Sequence, residues 1–485
     1  MLNKKKRFLT HMLFIFIFII INYYILADFQ HSFFSSSITP FNDEVFYLKQ
    51  IESIHDYGMP KGYFGYNLSS AKHFTFGTWP PFLLYFYALI TYPFQSFNNM
   101  VMFSNVFVVL LFYSVIVAFV VKKQFKMRDY YYLLFPLLSI MVTRMIFSGM
   151  SEAPFLLLGI LTFFSLELSS KNKLIISLII SIFAIMKPHV VIFILFIMIN
   201  DKKITKNKIL IYLSLIVLSI FSFFAITNSF TAEYLFESTK FKEIGEILSG
   251  DNIILSIVNF FFGNLYSTLL SVFTNNVYSI SSMIYISYFI TLVLIFINIL
   301  VKINKKTINR CDLSVLALYI SAFLIIINLY IPNPASRLIL VFVIFGWIYL
   351  LREKNKAITL LLFVCVFISN ILLKVNGSVD LFINDDKINS EVKYSLNSLI
   401  LQDDIKENTI VIDYDSLSSL YPYLYGVPSG FGLNIAYDYI ILRDSNKYNY
   451  EYILVQKGSN LVESLNKTYE SFIDNDVFVL LKLRN

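Results

Sequence analysis

Cysteine and histidine are scarce in this chain of 485 residues, with two and five copies respectively. Cys311 and Cys365 supply no disulfide framework and no metal-binding spacing. No His, Asp and Glu cluster has zinc spacing. The chain has no Ser-His-Asp arrangement, P-loop, GxGxxG motif, internal repeat or low-complexity tract. No cofactor is therefore expected; a divalent metal bridging the adjacent acids Asp43 and Glu44 is an alternative that no ligand spacing supports. Charge is also sparse, at 15% of residues, which excludes an ordinary soluble domain. Apolar residues fill the space instead. They make up 57% of the chain, and 50 Phe and 33 Tyr suit lipid-facing helices and interface belts. The net charge of +7 does not indicate a nucleic-acid partner, because Lys and Arg fall mostly in short loops between apolar runs. The expected surroundings are a lipid bilayer.

A spanning helix needs about 20 apolar residues. Apolar runs at 8–27, 100–121, 130–147, 152–168, 174–186, 188–199, 208–227, 278–301, 312–330, 337–351 and 357–373 predict a mostly α, polytopic bundle of about 11 spans. The segment "MLNKKKRFLTHMLFIFIFIIINYYILA" has the charge and apolar run of a signal peptide. Its run is too long and lacks a small-residue cleavage site, so it reads as an uncleaved first span. The runs 174–186 and 188–199 are short and meet at Pro188. Charge decides that they count as two. The basic loops around Lys4–Arg7, Lys122–Arg128, Lys171–Lys173, Lys202–Lys208, Lys302–Arg310 and Arg352–Lys356 then share one side. By the positive-inside rule that side is the cytoplasm, with the N-terminus inside and the C-terminus outside. This is the topology of a multi-pass cell (inner) membrane protein.

Three segments fall outside the membrane on this reading. The first is the loop 28–99. The second, 228–277, holds a Phe-rich stretch at 252–273 that is expected to break at Gly263 and Asn264 and to lie at the interface or re-enter it. The third is the tail, so the chain divides into a membrane domain, 1–374, and an extracytoplasmic α/β domain, 375–485. Strands are expected in "TIVIDYD", "YDYIILRD", "YEYILVQ" and "VFVLLKL", with helices in "SLSSLYPYLYG" and "NLVESLNKTYESF".

Residues 44–57, "EVFYLKQIESIHDY", place Val45, Leu48, Ile51 and Ile54 on one stripe, as in an amphipathic interfacial helix. Asp43 and Glu44 suit its first turn through the macrodipole, after Asn42 as a cap. Pro80 and Pro81 begin a second surface helix. On the outer side, Glu152 sits in the turn "SGMSEAPF", either as a helix-start acid after Ser151 or as a binding group. Arg144 lies nearby and either snorkels outward or pairs with Glu152. Lys187 and His189, in "AIMKPHVV", occupy an outer turn where an isolated lysine breaks the charge rule. Arg337, in "YIPNPASRLILVF", begins a span, and its fork suits a phosphate. His11, His31 and His55 read as interfacial or structural.

A first outer loop with "NDEVFY" and then "WPPFLLY", followed by many short spans and a soluble tail, resembles the GT-C superfamily of integral-membrane glycosyltransferases. The protein O-mannosyltransferase and aminoarabinose-transferase group is nearest in style. Many members carry Lys or His directly before the proline pair. This chain has Trp79 there, with Lys72 and His73 upstream. The resemblance implies transfer of a sugar from a polyprenyl-phosphate-linked donor to an extracytoplasmic hydroxyl of the cell envelope. Asp43 matches the general base. Glu44 and Tyr47 stand in the same motif, and His73 and Trp79 in the loop before the prolines. Glu44 and Glu152 would position sugar or acceptor, Lys187 and Arg337 would hold the donor phosphate, and His189 beside Lys187 is either a further binding residue or structural. One base and direct displacement would invert the anomeric centre. A secondary transporter or lipid-linked sugar flippase would also suit intramembrane charges and a Pro-broken helix pair, and a polysaccharide polymerase has a similar outline.

Overall fold

The structure is a computed structural model that describes residues 2–26, 42–60, 64–65, 80–96, 100–122, 134–230, 247, 252–274, 279–330, 332–353, 355–376, 409–413, 432–436, 452–474, 476 and 478–484. The expected strand in "YDYIILRD" and helix in "SLSSLYPYLYG" lie outside these residues. Two compact units divide the chain. One comprises Met1–Ser35, Asn105–Phe224 and Thr239–Asp380, and the other Ser36–Ser104, Ala225–Ser238 and Leu381–Asn485.

The first unit is a polytopic helical bundle. Its long helices are α1 (Leu2–Leu26), α4 (Met100–Lys122), which begins in the other unit, α9 (Lys206–Phe230), α10 (Ile253–Thr274), α11 (Ile280–Asn304), α12 (Arg310–Leu329), α13 (Pro332–Arg352) and α14 (Lys356–Val375). Among the described residues these eight are long and apolar enough to cross a membrane. A helix crosses lipid with its backbone polar groups paired within its own segment. Between α4 and α9 lie shorter helices: α5 (Ile140–Ile146), α6 (Ala153–Ser165), α7 (Ser170–Met186) and α8 (Ile192–Ile199).

The run 130–147 is not one continuous span. A 3-10 turn at Phe135–Leu138 precedes α5, and Ser139 between them is extended. Asn370 on α14 fills the break. Its side chain accepts from Ile140 N at 2.9 Å and donates to Leu138 O at 2.7 Å. A helix interruption inside an apolar bundle persists when a neighbour satisfies the freed backbone groups in this way. The break at Pro188 is as expected. Lys187 is extended (φ −140°, ψ 98°), as the residue before proline prefers, and a 3-10 turn, Pro188–Val191, leads into α8.

By contrast, α10 runs unbroken through Gly263 and Asn264. A single helical glycine costs only about 1 kcal/mol, and the surrounding Ile, Leu and Phe residues outweigh it. Asn264 donates to Asn328 Oδ1 at 3.0 Å, which fixes the middle of α10 level with the last turn of α12.

Helix α13 forms the core of the bundle, with Ile339 to Phe345 all buried. Gly159 lets α6 approach it so closely that a Cβ there would lie 2.7 Å from Val341 O. Trp347 donates to Thr291 on α11 at 3.0 Å, and Phe193 stacks on Phe342 at 4.8 Å.

The second unit contains α2 (Asn42–Tyr57), β1 (Phe64–Gly65), α3 (Pro81–Thr91), β2 (Thr409–Asp413), β3 (Gly432–Ala436), β4 (Tyr452–Gln456), α15 (Asn460–Leu465), β5 (Tyr469–Asp474) and β6 (Phe478–Leu483). Its sheet has the order β1-β3-β2-β4-β6-β5. β1, β3, β2 and β4 are parallel neighbours, and β6 and β5 are antiparallel additions. The first loop thus supplies the edge strand of the tail's sheet, Phe64 pairing with Leu433.

The stretch expected as one helix, "NLVESLNKTYESF", is instead α15 followed by β5. Ser459 caps α15 through Leu461 N. Leu461, Leu465 and Tyr469 all enter the same core as Ile453, Val455, Val479 and Leu481. Pairing with β6 satisfies the 469–474 backbone better than another helical turn would.

Candidate functional site

The first candidate region belongs to the second unit. Asp43 and Glu44 lie in the first turn of α2, where the helix dipole favours acids. Tyr47 follows Asp43 by four residues and Glu44 by three, so it shares a face with both. Glu44 and Tyr47 are buried, while the Asp43 side chain lies outside the described residues. His73 and Trp79 also lie outside them.

Pro80 is extended and Pro81 opens α3, as the proline pair predicts. The expected polar face of α2 is only partly solvated, with Asp56 exposed and Glu52 half-buried. Lys49, Gln50 and Ser53 are buried. Their polar atoms turn inward on local partners: Lys49 on Glu52 at 2.8 Å, Gln50 on Phe46 O at 3.4 Å and Ser53 on Met59 O at 3.4 Å. His55 Nε2 lies 2.8 Å from Ala88 O and joins α2 to α3, a structural role. The turn carrying the acids is therefore a packed element of this unit.

The second region belongs to the helical bundle. Glu152 stands at the N-cap of α6, yet its side chain makes no capping bond. Its Oε1 instead accepts from Lys187 Nζ at 2.8 Å, in an ion pair whose side chains are 7% and 12% exposed. The carboxylate is committed to a cation across the bundle, and the ordinary cap is absent.

Lys187 also lies over the Phe155 ring at 5.1 Å. The Arg337 guanidinium acts electrostatically on the same carboxylate. Arg337 is half-buried, with Nη1 3.4 Å from Met150 Sδ. Asn105 fixes the turn before Glu152 by donating to Ser148 O at 2.8 Å and Met150 O at 2.9 Å. His189 is buried beside Lys187. Its ring meets Tyr330 edge-on at 6.0 Å and Phe342 at 6.3 Å, and among the described residues its Nδ1 has no hydrogen-bond partner. Arg144 is fully buried and does not snorkel.

The structure thus brings together three residues singled out in the sequence, Glu152, Lys187 and Arg337, with His189 adjoining. The Glu152 carboxylate is bonded to one of these cations and lies in the field of the other. The cluster is also recessed. α6 has 13 residues and the 188–199 segment 12, so each is about 20 Å long, short of the ~30 Å hydrocarbon core. Desolvated charges in such a place are costly unless they pair or bind a ligand.

Met150, Phe155 and Asn105 were not legible as site residues. Phe155, three residues after Glu152 on one helix face, was the one available signal. Among the described residues, no group of three or more His, Cys, Asp or Glu side chains could hold a metal.

No family model matches the chain, and no curated protein matches it. Among solved structures, it is similar to the crystal structure of the oligosaccharyltransferase from Archaeoglobus fulgidus in the apo form, with a TM-score of 0.49 and 12% sequence identity, over 93% of this chain and 69% of that one.

Proposed function

We propose that this protein transfers a sugar from a polyprenyl-phosphate-linked donor to an extracytoplasmic hydroxyl acceptor of the cell envelope. The observation that carries this reading is the recessed Glu152–Lys187–Arg337 cluster, which sets two cationic side chains inside an apolar bundle. A prenyl-phosphate sugar matches both properties, having an anionic head on a lipid chain. In the reaction the acceptor oxygen attacks the anomeric carbon as the bond from that carbon to the phosphate oxygen breaks. The acceptor proton passes to Asp43, and the prenyl phosphate leaves with one more negative charge than it carried in the donor. Lys187 and Arg337 then stabilise charge that develops only as the bond breaks, which lowers the barrier rather than merely tightening binding. Glu152 holds Lys187 in place and orients sugar or acceptor hydroxyls. Attack opposite the leaving phosphate inverts the anomeric centre.

The test is transfer from a radiolabelled polyprenyl-phosphate sugar in membranes containing Asp43→Asn at wild-type abundance. Loss of transfer by at least about a hundredfold is expected for removal of a general base. Undiminished transfer sinks the assignment. Arg337→Ala is expected to raise donor KM, and a change confined to the acceptor requirement would reverse the roles.

One observation favours a second reading. The chain at Lys187 is extended between helical segments, and transporters place discontinuous helices of this kind around an anionic substrate. Flipping of a labelled lipid-linked sugar across vesicles without formation of a glycosylated product would support that alternative.

A further inference from the structure

At the far end of the helical unit lies a second cavity, of about 460 Å³, to which no role has been given. Its walls come from the C-terminal ends of α6, α8 and α13 and from the start of α12. α6 begins just after Glu152 and α13 carries Arg337 near its start, and both segments reach this cavity 11 to 16 residues later. At 1.5 Å per residue the two sites are ~20 Å apart. This end carries the basic loops, so the charge rule puts it at the inner leaflet.

Four carboxylates line the cavity, and each is already matched. Glu167 pairs with Arg352, and Asp312 and Glu353 share Lys302. Asp201 accepts from Ser170 at 2.5 Å and has Lys173 Nζ at 3.9 Å. Two further lining residues, Lys202 and Arg310, have no carboxylate within 4 Å among the described residues. Phe163, Leu166 and Ile199 form an apolar wall beside them. With Lys208 also acting on Asp201, four cations of the protein offset the four carboxylates, and the solvent-exposed Lys202 and Arg310 are left among the lining residues of a cavity of ligand size.

We propose that this cavity is a phosphate-binding site, with Lys202 and Arg310 holding the phosphate and the apolar wall receiving the start of an attached chain. An arginine fork and a lysine suit phosphate oxygens. An acid ligand without an apolar part would leave half of the lining unused. The same chemistry is offered by the head of an anionic phospholipid of the inner leaflet and by free phosphate. The inference does not depend on the proposed sugar transfer, since it uses none of the residues assigned to it.

Cys311 lines the cavity and is partly exposed, so it reports occupancy. In a Cys365→Ser background it is the single thiol. Its rate of alkylation by a soluble maleimide would be measured in nanodiscs of phosphatidylcholine alone, of phosphatidylcholine with phosphatidylglycerol, and of phosphatidylcholine with added inorganic phosphate. Phosphatidylglycerol is expected to slow alkylation several-fold, and the slowing is expected to vanish in Lys202→Ala/Arg310→Ala. Equal slowing by inorganic phosphate would identify the ligand as free phosphate and support the site. Native mass spectrometry gives a second measurement: the double variant should retain one phosphatidylglycerol fewer than the parent. If neither phosphate source slows alkylation, or if the double variant is protected as well as the parent, the proposal is overturned.

Discussion

Replacing Lys187 with methionine removes the cation 2.8 Å from the Glu152 carboxylate while keeping most of the side-chain volume. The carboxylate is 7% exposed, so water does not take the ammonium's place. Removing one partner of a buried ion pair costs about 3–5 kcal/mol, because the other charge is left uncompensated. The Arg337 charge still acts on Glu152, which puts the expected loss at the lower end, about 3 kcal/mol. Glu152→Gln makes the converse change and removes the carboxylate bonded to Lys187, with a similar expected loss of about 3 kcal/mol. If the two losses were independent, the double variant would be destabilised by about 6 kcal/mol. They are not expected to be, since each penalty arises from the orphaned partner. With both charges gone, the loss should fall to about 1–2 kcal/mol, a coupling of about 4 kcal/mol. Unfolding of the four proteins in one detergent, compared at a common scan rate, reads this directly. The double variant should unfold at a higher temperature than either single variant. Additive losses, or singles indistinguishable from the parent, would refute a buried Glu152–Lys187 pair as the organiser of this site.

Two glycines should respond in opposite directions. Gly159→Ala puts a methyl 2.7 Å from Val341 O and should destabilise the α6–α13 contact by about 1–3 kcal/mol. Gly263→Ala meets nothing within 4 Å and should stabilise α10 by up to about 1 kcal/mol. The same thermal assay decides both, and equal effects would contradict the packing described. Asp201, in the connection from α8 to α9, makes stability depend on pH. Burial alone would raise its carboxyl, but the Ser170 hydroxyl, the Lys203 N–H and the Lys173 and Lys208 charges hold it below the ordinary aspartate value. A depressed folded value contributes stability above the unfolded value of about 3.9, and that stability is lost as pH falls through the lower folded value. Asp201→Asn should therefore flatten the acid limb of the stability profile below about pH 4. An unchanged acid limb would show that the carboxylate is not held in this way.

Most long helices could be read from hydropathy, and the kink at Pro188 from the proline itself. Reading failed where a distant side chain decided the local structure. The interruption before α5 is stabilised by Asn370, which is more than two hundred residues away. The polar positions of α2 suggest a wet face by their spacing, yet Lys49, Gln50 and Ser53 are buried with local partners. β5 read as helix because its pairing with β6, which decides it, lies outside any short window.

At the candidate site, sequence singled out Glu152, Lys187 and Arg337 separately, because ionisable groups beside apolar runs are conspicuous wherever their partners lie. It left Glu152 divided between a helix cap and a binding group. The structure shows no cap and instead a bond across 35 residues to Lys187, and the packing of α13 against α6 set how the helices carrying Arg337 and Glu152 meet. The sequence by itself therefore determined a helical membrane bundle, since lipid forces each spanning segment to satisfy its own backbone and so makes that signal local. Only the tertiary structure decided which charges meet, because an ion pair in the bundle depends on how separate helices are packed.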